Sequence, residues 1–240
     1  MHSKKIVMKL AIMQPYFMPY IGYFQLINAV DVFVVYDNIQ FTKKGWLHRN
    51  RVLVNGKKNM FSVPLKKDSD YLDVVQRALA DSFENGSKKI IRKIKASYQK
   101  APYYKEVMPL VEKCFQRGSG NLFDFIHTSL KLLTQFLQID KKIIISSSID
   151  IDHTLTSQDK VLAICKKLNA NIYINAIGGQ NLYVAEAFRN MGIELHFIKT
   201  KPIEYKQFDN EFVPWLSIID VMMFNSKKEI RKMLGLYYLK

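Results

Sequence analysis

The chain has 240 residues, 48% of them hydrophobic and 24% charged, which suits one α/β domain with a sizeable core and excludes a disordered or fibrous protein. Its balance is basic, 36 Lys+Arg against 21 Asp+Glu for a formal charge of +15, which fits nucleic acid, an anionic membrane, a phosphorylated small substrate, or a solvated lysine surface. Cys114 and Cys165 lack CxxC or Cys/His spacing and read as buried thiols of a reducing compartment rather than a disulfide framework or zinc site.

In chain order, the lysines of "MHSKKIVMKLAIMQPYF" precede an apolar run that Lys9, Gln14 and Pro15 cut too short for a signal core. No stretch approaches about 20 uninterrupted apolar residues, so no bilayer span is expected and the cytoplasm is the expected location. Residues 8–13 and 32–36 have strand length, and residues 20–29 fit a helix between them. "RNRVLVNGKKNMFSVPLKK" reads as a hairpin over 49–54 and 59–65 around Asn55-Gly56. "YLDVVQRALA" mixes strand and helix signals.

Helices are expected over 85–98, 103–115 and 122–137, the last capped by Asn121. Strand–helix alternation then returns: strand 142–146, helix 157–168 capped by Ser157, strand 171–175, helix 180–191 closed by Gly192, and strand 194–198. "PWLSIIDVMMFN" and "SKKEIRKMLGLYYL" read as closing helices, Ser226 capping the second. The expected fold is a single α/β domain over 1–240, a mostly parallel sheet with flanking helices. A β-hairpin and helical subdomain is inserted at about 49–140.

Ligands of such sheets sit beyond the carboxyl ends of the strands, which nominates residues 14–22, 37–48, 146–156 and 176–180. Within them Gln14, Tyr16, Tyr20 and Gly22 form an aromatic loop leading into a helix start, a place that favours anions. Asp37 ends an apolar strand, as a crevice-facing carboxylate or a turn cap. "FTKKGWLHRNR" groups Lys44, Trp46, His48 and Arg49, a mixture suited to a phosphate and a stacked ring, or equally to a solvated charge run around a Trp anchor. Gly178, Gly179 and Gln180 open another strand-to-helix turn. Asp150, Asp152 and His153 lack matching ligands elsewhere, so no metal is expected. No P-loop, G-x-S-x-G or GxGxxG occurs.

The strings "QPYFMPYIGYFQLI", "DVFVVYDNIQFTKKGWLHRN", "SVPL", "YQKAPYYKE" and "FVPWLSIIDVMMFN" resemble the WbqC-like protein family of bacteria, in order over about residues 8–225. That resemblance implies a link to O-antigen (lipopolysaccharide) and other surface-polysaccharide loci, and an enzyme forming an amide by acyl or glycyl transfer. The acceptor would be the amino group of a nucleotide-linked amino sugar. The donor is open among ATP-activated carboxylate, acyl-CoA and aminoacyl-tRNA, the last being the one route to a nucleic-acid partner. The opening is also similar to that of HUP-type nucleotidyltransferases, with Tyr20, Gly22 and Tyr23 where their HxGH motif stands, which implies a HUP/Rossmann-like sheet. Tyrosine offers no cation at neutral pH where those enzymes have histidine. His48, Asp37 or His153 could take the amine's proton, with Asp37 or His48 the favoured catalytic base, and the alternative is a non-catalytic nucleotide-sugar- or RNA-binding module.

Overall fold

A computed structural model of the protein describes residues 7–240; the lysine-rich start and His2 lie outside the described residues. Lys9–Met13 (β1) and Val32–Val35 (β2) pair in parallel around the helix Ile21–Ala29 (α1). Their alternation sorts side chains to opposite faces. Ala11, Phe33 and Val35 pack on one side with α1, and Leu10, Ile12, Val32 and Val34 on the other. Both faces are covered, so β2 is apolar throughout. α1 is buried through Ile27, including Gln25, whose amide donates to the carbonyls of Met233 (2.7 Å) and Leu236 (3.0 Å) and accepts from Thr200.

The strands Arg49–Val54 (β3) and Lys57–Ser62 (β4) form the expected hairpin, with Asn55 at φ 49° and Gly56 at φ 71° in the turn. The ambiguous segment is a short 3-10 turn, Val74–Gln76, closed by an Asp73 capping box. Phe83–Tyr98 (α2), Tyr104–Cys114 (α3) and Leu122–Phe136 (α4) follow, Asn121 accepting from the amides of Phe123 and Asp124. Cys114 and Cys165 are buried free thiols whose pKa burial pushes up to about 12.

Lys142–Ile145 (β5) extends the sheet beyond β2; Ile172–Ala176 (β6) and Glu194–Thr200 (β7) extend it on the far side of β1. Ser157–Lys167 (α5) packs on the face opposite α1. Its N-cap position is Thr156 rather than Ser157, which is the first residue of the helix at φ 49°; the Thr156 side chain makes no capping bond. The expected helix 180–191 divides into a 3-10 turn, Ile177–Leu182, and the helix Ala185–Asn190 (α6). Between them Tyr183 is extended, its hydroxyl bound by Asn175 (2.9 Å) and Tyr173 (3.1 Å), so tertiary anchoring overrides helix propensity.

The chain closes with Ile218–Phe224 (α7), Lys227–Met233 (α8) and a strand, Tyr237–Leu239 (β8). The sequence pattern extends the last helix through β8, but the helix ends before Gly235 and Tyr237–Leu239 pair antiparallel with the edge of β7. The sheet order is β5-β2-β1-β6-β7-β8, an α/β sheet, five of its six strands parallel. The order reverses between β1 and β6, which is where such sheets open a crevice.

Candidate functional site

At that reversal lies a cleft of about 1030 Å³, walled by the carboxyl ends of β1, β2 and β6 and by the loop before α5. Its polar groups include Gln14, Asn38, Asp73, His153, Gln158 and Asn175. These are amides, a carboxylate and an imidazole, the complement that hydroxyl- and amine-bearing ligands need. Lys160 adds a cation: its ammonium lies 5.2 Å from the Tyr36 ring centre and donates to the His153 carbonyl (3.3 Å). Burial holds its pKa below the usual lysine value, against the pull of Asp73 and Asp37. Burial, with Tyr183 and Asp73, raises that of Tyr36 to about 12, so its hydroxyl stays neutral.

His153 is the best-defined titratable group on this wall. Nε2 lies 2.9 Å from the Ile149 carbonyl, which can only accept, so Nε2 carries the proton. Nδ1 is then the acceptor, 2.9 Å from the Asn38 amide nitrogen. Asn38 is held from behind by the Ser146 hydroxyl. Ser146 in turn binds Asp37, whose Oδ1 lies 2.9 Å from both its hydroxyl and the Ser147 amide. Asp37 is 1% exposed and its Oδ2 has no partner. It therefore stands behind the wall rather than lining the cleft, sharing with the Asn38 side-chain oxygen the single hydrogen of the Ser146 hydroxyl.

A second cleft, about 790 Å³, opens at the carboxyl end of β7 on the α1 face. Tyr20, Gly22, Thr200, Tyr205, Trp215 and Tyr238 are among its walls. Ile177 lines this cleft while Ala176, Gly178 and Gly179 line the first, so one turn partitions the two. A Cβ at Gly179 would meet the end of the Asn175 side chain at 2.9 Å, so a larger residue there would push on the cleft wall.

The residues nominated from sequence thus divide. Gln14, Gly178 and Gly179 line the first cleft with Asp37 behind it, and Tyr20 and Gly22 line the second. Gln180 is exposed and lines neither. Tyr16 and Trp46 stack (6.1 Å, 27°), and the guanidinium of Arg51 covers Trp46 at 4.6 Å. Arg49 is spent on shaping its own loop, donating to the carbonyls of Gly45 (2.8 Å) and Lys44, whose side chain is exposed. His48 packs at 5.5 Å from Phe41 and lines neither cleft. Burial, then Arg49 and Arg77, lower its pKa to about 4. Lys160, Asn175 and Tyr183 had escaped sequence reasoning. Asn175 was within reach of the strand-end rule, whereas a lysine inside a helix carries no signal.

Asp150 pairs with Lys167 (2.6 Å) and Asp152 accepts from Thr154, so neither carboxylate joins His153 in the cleft wall. Among the described residues no group of three or more His, Cys, Asp or Glu side chains could hold a metal ion, and no helix is long and apolar enough to cross a membrane.

The family model described as WbqC-like protein family matches residues 14–232. The chain belongs to the WbqC-like protein family. That match takes in every residue lining the two clefts except Ile12, Met13 and Tyr238. The WbqC-like chain is also similar to Rv1507c of Mycobacterium tuberculosis (strain ATCC 25618 / H37Rv), an uncharacterized protein. The two are 24% identical over 219 residues, which cover 90% of this chain and 93% of the relative. No solved structure gives a significant match.

Proposed function

We propose that the protein is an amide-forming enzyme of bacterial surface-polysaccharide biosynthesis that acylates the amino group of a nucleotide-linked amino sugar in the first cleft. The observation that carries this reading is His153, a wall histidine whose Nε2 is bonded to the Ile149 carbonyl and whose Nδ1 faces the Asn38 amide in the cleft wall. The sugar amine takes the place of the Asn38 amide on Nδ1. Its nitrogen attacks the acyl carbonyl carbon, the N–C bond forms, and the bond to the donor's leaving group breaks with its electron pair. The surplus proton of the amine passes to Nδ1. Lys160 supplies charge for the diphosphate, and Gln14, Asn175 and Gln158 supply partners for hydroxyl groups. Of the two bases favoured from sequence, Asp37 stands behind the wall, bound by Ser146, and His48 packs on Phe41 outside both clefts.

The test is to incubate UDP-, GDP- and dTDP-amino sugars with acetyl-CoA, with glycine and ATP, and with charged tRNA, reading the acceptor's mass. A gain equal to the acyl group, lost by about 10²–10⁴-fold in His153→Ala, is expected. No gain in any combination overturns the reading in favour of a nucleotide-sugar- or RNA-binding module, which the net charge of +15 favours. RNA binding would weaken steeply as salt rises.

A further inference from the structure

The two clefts differ in chemistry. The second is walled by Ile21, Ile177, Ile198, Ile203 and Leu216, with the rings of Tyr20, Phe212, Trp215 and Tyr238 around them, and no Asn, Gln or Asp lines it. Two of its hydroxyls are already committed: Thr200 donates to Gln25 (2.7 Å) and Tyr205 to Asp220 (2.6 Å). Sugar hydroxyls would find few partners here, whereas a hydrocarbon would find a wall. The charged groups are Lys199, Lys201 and Glu204. Neither lysine has an acidic partner within 4.0 Å among the described residues, and the Lys201 ammonium instead lies 4.6 Å from the Tyr238 ring centre.

The rim is held at a backbone cost. Trp215 has φ +63° and Met18 φ +49°, in the left-handed region that bulky side chains avoid. Such strain persists where surrounding bonds over-determine it, and it concentrates at ligand clamps. Here the Ser217 hydroxyl donates to the Met18 carbonyl (2.7 Å), the Ser217 amide to Arg51 (2.9 Å) and the Ile218 amide to Pro19 (2.8 Å). Those bonds flank Tyr20 and Trp215, whose rings meet at 6.0 Å, and leave Trp215 62% exposed.

We propose that the second cleft binds an apolar acyl chain carrying an anionic head, the chain along the isoleucine and aromatic wall and the head at Lys199 and Lys201. On the amide-forming reading this ligand is the acyl donor, and the Ala176–Gly179 turn, which contributes to both clefts, is where it meets the sugar. That role rests on the reading; the binding does not.

The chain has two tryptophans, so Trp46→Phe leaves Trp215 as the sole indole reporter. Titrating that variant with decanoate is expected to shift Trp215 emission saturably, with calorimetry on the unaltered chain giving the same affinity. Each buried methylene is worth about fourfold, so decanoate should bind at least about 100-fold more tightly than butyrate. Substituting both lysines (Lys199→Ala with Lys201→Ala) should weaken decanoate about tenfold and leave decanol unchanged. Silent calorimetry, equal binding of decanoate and butyrate, or lysine substitutions that weaken decanol equally would each overturn the proposal. Decanoate binding beside a failure to form amide from decanoyl-CoA or any other donor supports the site and removes the amide-forming reading. Turnover without decanoate binding does the reverse.

Discussion

Lowering the pH should destabilise the unaltered chain more than a His48→Phe variant. His48 Nδ1 is buried without a partner, beside Phe41, Arg49 and Arg77. Arg77 is itself fixed, 4% exposed, donating to the carbonyls of Ser69 (2.7 Å) and Lys66 (3.2 Å), so it cannot swing away from an imidazolium. The folded-state pKa falls from 6.5 to about 4, so the unfolded chain takes the proton first. The contribution is fully present above about pH 6.5 and is lost as pH falls towards 4. At 1.36 kcal/mol per pH unit the window corresponds to roughly 3.4 kcal/mol, reduced to about 2 kcal/mol because part of the ring meets solvent. Urea unfolding of both proteins at pH 7.5, 6.5, 5.5 and 4.5 measures it as a difference, in which His127 and the carboxylates cancel. Parallel loss of stability in the two proteins, within about 0.5 kcal/mol, would refute the reasoning.

Tyr98→Phe removes a hydroxyl that accepts from the Leu53 amide (2.7 Å) and donates to the Asp220 carboxylate (2.8 Å), leaving both buried groups short of a partner. A loss of about 3 kcal/mol in denaturant unfolding is expected. Gly22→Ala puts a methyl 2.8 Å from the Thr200 hydroxyl and into the Tyr20 ring; about 1–3 kcal/mol of destabilisation and loss of decanoate binding should follow. Ser146→Ala takes from the buried Asp37 carboxylate one of its two donors, its Oδ2 having none, and a loss of about 1–3 kcal/mol in denaturant unfolding is expected.

The elements were legible in the sequence because each rests on neighbours a few residues apart. Asn55-Gly56 dictates a tight turn by its left-handed backbone, and Asn121 and Ser226 cap the helices that follow them. The apolar runs of β1 and β2 declare strands buried on both faces, and the strand–helix alternation implied the parallel sheet and the edge where clefts open. Tertiary structure alone decided which residues share a cleft. Asn38 and His153 meet across 115 residues only because β5 docks outside β2 and sends its following loop back over the sheet edge. Tyr20 and Trp215 become neighbours only when Ser217 ties back to Met18. Periodicity tells a side chain which face to take, but the order of strands in the sheet sets what it faces there, and that order is a long-range packing choice no local pattern encodes.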